Sequence, residues 1–431
     1  MDTSFRVSSS IIYFFLFLSL SNTAVFSTSV VVEAYDPYDP TSNITVKWDV
    51  LSWTSDGYVG VVTITNNQIY RTVQKPGWKL GWTWAGREVV WSMVGAQAID
   101  QGNCSRFKGN IPHSCLKTPT MVDLMPGTPF NQQVKDCCKG GTLSTRYQDV
   151  HNSMASFQIS VGNAGTSNTT VRMPKKFTFV AGHDKYTCRP AKTVPSTRFI
   201  TSDGRRMTRA FMTWKVVCTH SRAKEANKHP ACCVSFSGFG QHKKANCPTC
   251  ACGCRNKTCN SSRRGLSFVP SKIKCTDHMC PVNINWQMMK PKEKGVGWAV
   301  NVSITNFNYR MNYSDWTLLV NHPSINKLTE TLPKCPTYQA RPFKLLNLAP
   351  ASTVEMVEII WGAKNKTDVI TATGRKGSTV SWIMHLYKNK YKNDTATLSC
   401  EKDWRTPREV FFNGDRCVVS SLLPLASARI H

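Results

Sequence analysis

The sequence predicts an all-β protein: two β-sandwich domains joined by a disulfide-rich segment. Three observations carry this. Apolar and polar residues alternate with period two across 46–93, the pattern of strands with one covered face. An ordered set of residues recurs, as Tyr58, Ile64-Thr65-Asn66, Tyr70 and Trp78 and again as Trp298, Ile304-Thr305-Asn306, Tyr309 and Trp316. Such an echo points to one sandwich used twice. The third is a total of 18 cysteines, with a dense group between the two copies.

Taken in order, the chain begins with a short apolar run, Ile11–Leu20, flanked by small polar residues. That is the form of a secretory leader, here residues 1–34 with cleavage expected before Tyr35. An oxidising route follows, so the even cysteine count reads as disulfides. N-glycosylation sequons stand at Asn43, Asn103, Asn168, Asn256, Asn260, Asn301, Asn312, Asn365 and Asn393, as expected of a secreted glycoprotein. A net charge of +28 would suggest nucleic acid in a nuclear protein. For a secreted one, acidic polysaccharide or the outside of a membrane is the expected partner, and nucleic acid is not.

The first sandwich is expected over 35–190, with strands at Ile44–Trp48, Tyr58–Thr65, Trp78–Trp84, Val89–Met93, Ser156–Val161 and Lys176–Ala181. Six of the chain's 13 tryptophans lie in 46–93. In Trp78-Lys79-Leu80-Gly81-Trp82-Thr83-Trp84 the even positions put three indoles and a leucine on one side of one strand. Such a row either fills the space between two sheets or forms a shelf for a flat, apolar ligand. The second copy replaces it with Trp316-Thr-Leu-Leu-Val, which favours the shelf. Tyr58, Trp78, Trp82 and Trp84 are therefore the candidate ligand-binding residues, with Asp56 and Gln68 beside them as hydrogen-bonding groups. Trp48, Trp53 and Trp91, set among Val and Leu, are assigned to the core.

Residues 191–260 read as a basic connection followed by a Cys-rich motif. Fourteen Lys and Arg face three acids across 172–228. Lys175, Lys176, Arg205, Arg206 and Arg209 are its candidate basic surface. Cys232, Cys233, Cys247, Cys250, Cys252, Cys254 and Cys259 form the cysteine cluster. Cys-x-x-Cys is half of a structural zinc site, but the oxidising compartment favours disulfides, and no metal or cofactor is expected. The adjacent pairs Cys137/Cys138 and Cys232/Cys233 suit bridges to different strands. The second sandwich is expected over 261–417, with a short tail at 418–431.

These residues carry a resemblance. Tyr35-Asp-Pro-Tyr-Asp-Pro40, Asn43–Asp56, Pro76-Gly-Trp-Lys-Leu-Gly-Trp-Thr-Trp84, Val94-Gly-Ala-Gln97, Cys232-Cys-Val-Ser235, Cys247-Pro-Thr-Cys-Ala-Cys-Gly-Cys254 and Phe412-Asn-Gly-Asp415 resemble the COBRA-like proteins of plant cell walls. The resemblance runs from about Tyr35 to Cys417. It implies a carbohydrate-binding-module-like N-terminal domain, a role in organising cellulose microfibrils and a GPI anchor in the outer leaflet of the plasma membrane. It also tips Tyr58 and Trp84 toward the ligand. The tail departs from the family: after Cys417 the apolar run is short, broken by Ser and Pro, and ends Arg-Ile-His. A GPI signal needs a longer apolar end, so free secretion stands beside anchoring as an expectation.

Catalysis is not expected. Glycoside hydrolysis needs two facing carboxylates, and Asp49, Asp56 and Glu88 sit in no motif that pairs them. His113, His151 and His183 read as ordinary surface or core residues. A copper-dependent oxidative enzyme would need a mature N-terminal His, which cleavage before Tyr35, or after Ala24 or Ser27, does not give. The expected activity is non-catalytic binding of cellulose through ring stacking. Binding of acidic pectin through 172–228 is the competing expectation. Salt separates the two, because screening weakens only the second.

Overall fold

A computed structural model describes residues 36–221 apart from 37, 183, 201 and 202. Beyond these it describes 231–237, 258–259, 273–274, 281–289, 298–308, 311–322, 338–343, 357–362, 369–372, 377–386 and 407–419. The leader, Cys247–Cys254, His183, the tail beyond 419 and the sequons at Asn256, Asn260, Asn365 and Asn393 lie outside them. The regular structure is β, with one 3-10 turn at Phe130–Gln132. Among the described residues no helix is long and apolar enough to cross a membrane.

The first sandwich holds β1 (Ile44–Trp53), β2 (Tyr58–Asn66), β3 (Trp78–Thr83), β4 (Val89–Val94), β5 (Ala96–Ala98), β6 (Thr120–Asp123), β7 (Met154–Gly162), β8 (Lys175–Ala181) and β9 (Asp184–Cys188). It continues through β10 (Lys192–Val194), a small ribbon of β11 (Arg198–Ile200) and β12 (Met207–Arg209), and β13 (Met212–His220). The ladder runs β4-β7-β2-β1-β13-β9-β8-β3-β6-β5, with β10 on β13. It folds over so that β1, β2 and β7 face β3 and β8: Trp48 meets Trp82 and Phe177 edge-on, and Trp78 stacks on Phe157.

All six expected strands are present. The expected boundary at 190 is not, because β13 pairs with β1 through seven residue pairs, from Ile44↔Cys218 to Val50↔Met212. The reason is visible in Trp214, Val216 and Cys218, which alternate inward and are buried. Part of the expected connection is thus a central strand.

The second sandwich begins with β14 (Cys232–Ser237), so the Cys-Cys motif is also a strand rather than a linker. A small hairpin, β15 (Thr258–Cys259) with β16 (Ile273–Lys274), follows. Next come β17 (Val282–Met288), β18 (Trp298–Asn306), β19 (Thr317–Asn321), β20 (Tyr338–Phe343), β21 (Val357–Gly362) and β22 (Thr379–Leu386). β23 (Glu409–Phe412), β24 (Asp415–Arg416) and β25 (Val418–Val419) complete it. One sheet is β22-β18-β17-β14-β25 and the other β20-β21-β19-β23-β24. Their inner faces share a core that includes Trp286, Val302, Ile304, Leu318, Val320 and Phe412.

The echo in the sequence is one device built twice. Asn66 ends β2, donates from Nδ2 to Arg71 O five residues on, and accepts from Gln68 N two residues on. Asn306 ends β18, donates to Met311 O and accepts from Asn308 N at the same offsets. Both are fully buried. A side-chain amide that satisfies the loop backbone is what lets a turn leave a strand beneath the surface.

Disulfides join Cys104–Cys115, Cys188–Cys218 and Cys232–Cys417. Cys137 and Cys138 bond to each other, contrary to the expectation of bridges to separate strands. Neither belongs to a strand; both sit on a turn held by Asp123, whose carboxylate accepts from the amides of Cys138, Lys139 and Gly141. Cys232 and Cys233 do follow the expectation of separate bridges, Cys233 being disulfide-bonded as well.

The two sandwiches share a small interface. Tyr38, Ile69, Tyr70, Leu319 and Phe411 form its apolar cluster, and both tyrosines meet Phe411 edge-on. Tyr38 donates to Glu409, Tyr70 donates to Asp36, and Thr317 donates to Tyr70 O. Asp36 and 38–40 of the Tyr-Asp-Pro-Tyr-Asp-Pro motif are therefore a strap across the joint. Arg71 crosses the same joint, bonding Gly414 O and pairing with Asp184 and Asp415 at 3.4 Å each. Gly414 has φ +88, and a Cβ there would come within 2.7 Å of the Arg71 side chain, so glycine is required.

Asp39, buried in the strap, accepts from Ile69 N at 2.7 Å. Burial pushes its carboxyl up to about 7, against the pull of the Ile69 amide. An acid raised on folding is protonated in the native state while the unfolded chain has already lost that proton. Its contribution to stability is thus greatest below about pH 4 and declines as pH rises to about 7. Urea midpoints should fall between pH 5 and 8 in the wild type, and Asp39→Asn should flatten that fall. An unchanged slope in the variant would refute the assignment.

Candidate functional site

The aromatic row is where the structure corrects the sequence reading. Tyr58, Trp78, Trp82 and Trp84 are 1%, 1%, 2% and 2% exposed. Trp82 and Trp84 lie 5.0 and 6.0 Å from Trp48, both edge-on, and 5.3 Å from each other. Three mutually perpendicular indoles fill a volume; they do not make a shelf. Gly60 leaves the room, since a Cβ there would stand 3.1 Å from Trp48 Nε1. The second copy uses Trp316, Leu318 and Val320 at the same inward positions, and all three are buried. The two copies fill one kind of interior with different residues, so the difference between them carries no sign of a ligand.

The hydrogen-bonding candidates are engaged within the fold as well. Gln68 is buried and donates to Asn66 Oδ1 and Tyr186 OH. Asp56 accepts from Trp91 Nε1 at 2.7 Å.

Two tryptophans assigned to the core are the ones solvent reaches. Trp48 is sealed, whereas Trp53 and Trp91 are half-buried. Trp91 meets Phe107 edge-on at 5.4 Å, and Arg106 sits 4.9 Å above that phenyl ring. Its indole lies against Gly162, where a Cβ would come within 1.8 Å of Nε1. Trp53 and Phe211 lie near-parallel, 27° apart with ring centres at 6.0 Å. At that separation the rings are offset rather than face to face, and Tyr58 meets Trp53 edge-on from the core side. Phe211, just before β13, is 52% exposed and its amide donates to Val50 O. Chain order gives no hint of this pair, because 158 residues separate the two rings.

The basic candidates lie on two separate elements. Lys175 and Lys176 open β8, while Arg205, Arg206 and Arg209 belong to the β11–β12 ribbon and its loop; all five are exposed. Of the sequons described, Asn103, Asn168 and Asn312 are exposed; Asn43 and Asn301 are half-buried, and Asn43 donates to Thr41 O.

Each carboxylate weighed for catalysis has a structural partner. Asp49 accepts from Thr213 Oγ1 and Glu88 from Gly86 N. His113 Nε2 accepts from Ala98 N, and burial lowers its pKa. His151 is exposed. Among the described residues no group of three His, Cys, Asp or Glu is placed to hold a metal ion.

The fold and its interface define a tandem β-sandwich protein stapled by disulfides. Residues 58–221 match the COBRA N-terminal domain and 262–424 the COBRA family C-terminal domain. COBRA-like protein 4 of Arabidopsis thaliana is 47% identical over 398 residues, 90% of this chain and 88% of its own. Protein COBRA of Arabidopsis thaliana is 44% identical over 439 residues, covering 97% and 92%. COBRA-like protein 1 of Oryza sativa subsp. japonica is 45% identical over 417 residues, covering 92% and 89%. The chain belongs to the COBRA family.

Proposed function

We propose that the protein is secreted to the plant cell wall, binds cellulose without catalysis and helps organise microfibrils as they are laid down. Membership of the COBRA family supports this reading, since the resemblance that implies the role spans most of the chain. The observation that supports it is the Trp53–Phe211 pair, two near-parallel rings of which Phe211 is largely exposed. A glucan ring presents a face of C–H groups, and an aromatic ring laid against it removes both from water.

Phe211 is the ring to test, because its exposure separates binding from folding. Phe211→Ala should weaken retention of the full chain on microcrystalline cellulose by about fivefold, the worth of one aromatic contact of roughly 1 kcal/mol. Its melting temperature should stay near the wild type, high salt should leave the binding of both unchanged, and Phe211→Trp should retain binding. Wild-type retention by Phe211→Ala would remove the ring pair from the function.

A further inference from the structure

The outer face of the first sandwich carries a second feature, and it does not depend on the ring pair. On β1, Ile44, Val46 and Trp48 point into the core, so Thr45 and Lys47 point out. Lys47 stands directly opposite Lys215 of β13, and Lys215 directly opposite Lys192 of β10. Three ammonium groups thus lie abreast on adjacent strands, with backbones about 4.8 Å apart. Lys192 and Lys215 are exposed and Lys47 half-buried. Like charges directly opposite across a sheet repel, and among the described residues none of the three has an acidic partner.

The acid two residues along β1 from Lys47 is Asp49. It is turned beneath the surface, 1% exposed and held by Thr213. In the other direction the row continues as Thr63 of β2 and Ser156 of β7, which are direct register partners. Their hydroxyls lie 3.1 Å apart, and each keeps capacity for a further hydrogen bond. From Lys192 to Ser156 the row crosses five strands, roughly 19 Å. One end presents positive charge and the other hydroxyls, all on the outer face of these strands.

We infer that this row is a docking surface for a polyuronate, a polysaccharide with a carboxylate on each sugar ring. Charge complementarity selects the anion, and Thr63 and Ser156 match the hydroxyls that such a polymer carries beside its carboxylates. A membrane-docking face would place apolar side chains among the cations. The exposed Ile200 and Met207 are on the β11–β12 ribbon instead. A polymer lying across the strands meets the three lysines in succession, each bound charge releasing condensed counterions.

The test is binding of the full chain to polygalacturonate at several salt concentrations. The row variant Lys47→Gln/Lys192→Gln/Lys215→Gln should bind about tenfold more weakly at low salt and with a shallower salt dependence. A control variant, Lys75→Gln/Lys79→Gln/Lys108→Gln, removes the same charge from exposed positions outside the row and should bind within about twofold of wild type. Fully methyl-esterified polymer should not be retained. Equal loss in both variants, no loss in the row variant, retention of the esterified polymer, or stronger row-dependent binding to anionic phospholipid vesicles would each overturn the proposal. Retention on microcrystalline cellulose should be unchanged in the row variant, so failure of this site and failure of the glucan reading are told apart.

Discussion

Trp84→Ala will cost the first sandwich its fold before it costs any ligand. The indole is sealed between β1 and β3, touching Trp48 and Trp82 edge-on. Removing a buried Trp forfeits transfer energy and leaves a cavity, together about 3–5 kcal/mol. A domain has roughly 5–15 kcal/mol in hand, so the melting temperature should fall by on the order of 10 °C. Calorimetry of the full chain, with near-ultraviolet dichroism to follow the Trp48 cluster, gives the measurement. If Trp84→Ala melts like the wild type yet loses cellulose, the ring faces a ligand after all and the packing account is wrong.

Arg71→Ala should uncouple the two sandwiches. Burial works against the guanidinium charge, but Asp415, Tyr186 and Asp184 more than restore it, so Arg71 stays charged. Its removal leaves two carboxylates facing each other across the joint and Gly414 O without its donor. Breaking a sealed ion pair costs about 3–5 kcal/mol. Asp184 and Asp415 keep 21% and 29% of their side-chain surface, so screening lowers the expectation to about 2–3 kcal/mol. Heat capacity traces should change from a single transition to two, one for each sandwich. Arg71→Lys should give part of the loss, since an ammonium restores charge but not the forked geometry. One unaltered transition in Arg71→Ala would mean that the strap and apolar cluster hold the joint alone.

How far the sequence could be read follows from what period two encodes. Alternation located β1, β2, β3, β4, β7 and β8 because each has one apolar face. It could not say whether that face meets another sheet or solvent, and at Trp78, Trp82 and Trp84 the wrong choice followed. The other error has a sharper cause. Pairing shifts between Val50 and Ser52 on β1, and between Val90 and Ser92 on β4. A bulge inserts one residue and re-aims those around it, so the Val and Leu neighbours on which Trp53 and Trp91 were assigned to the core do not decide how far each ring is covered. β13 was missed because its basic neighbours masked Trp214, Val216 and Cys218. The lysine row was illegible for a different reason: Lys47, Lys192 and Lys215 meet only through register, which no local pattern states.

The bridge between Cys232 and Cys417 spans 185 residues and ties the opening strand of the second sandwich to its closing segment. β14 and β25 run parallel there, with Cys233 beside Val418. A load pulling Cys232 and Cys417 apart is therefore carried by a covalent bond rather than by the strands between them. While the cystine is intact, tension applied at those two points crosses the domain without unravelling it.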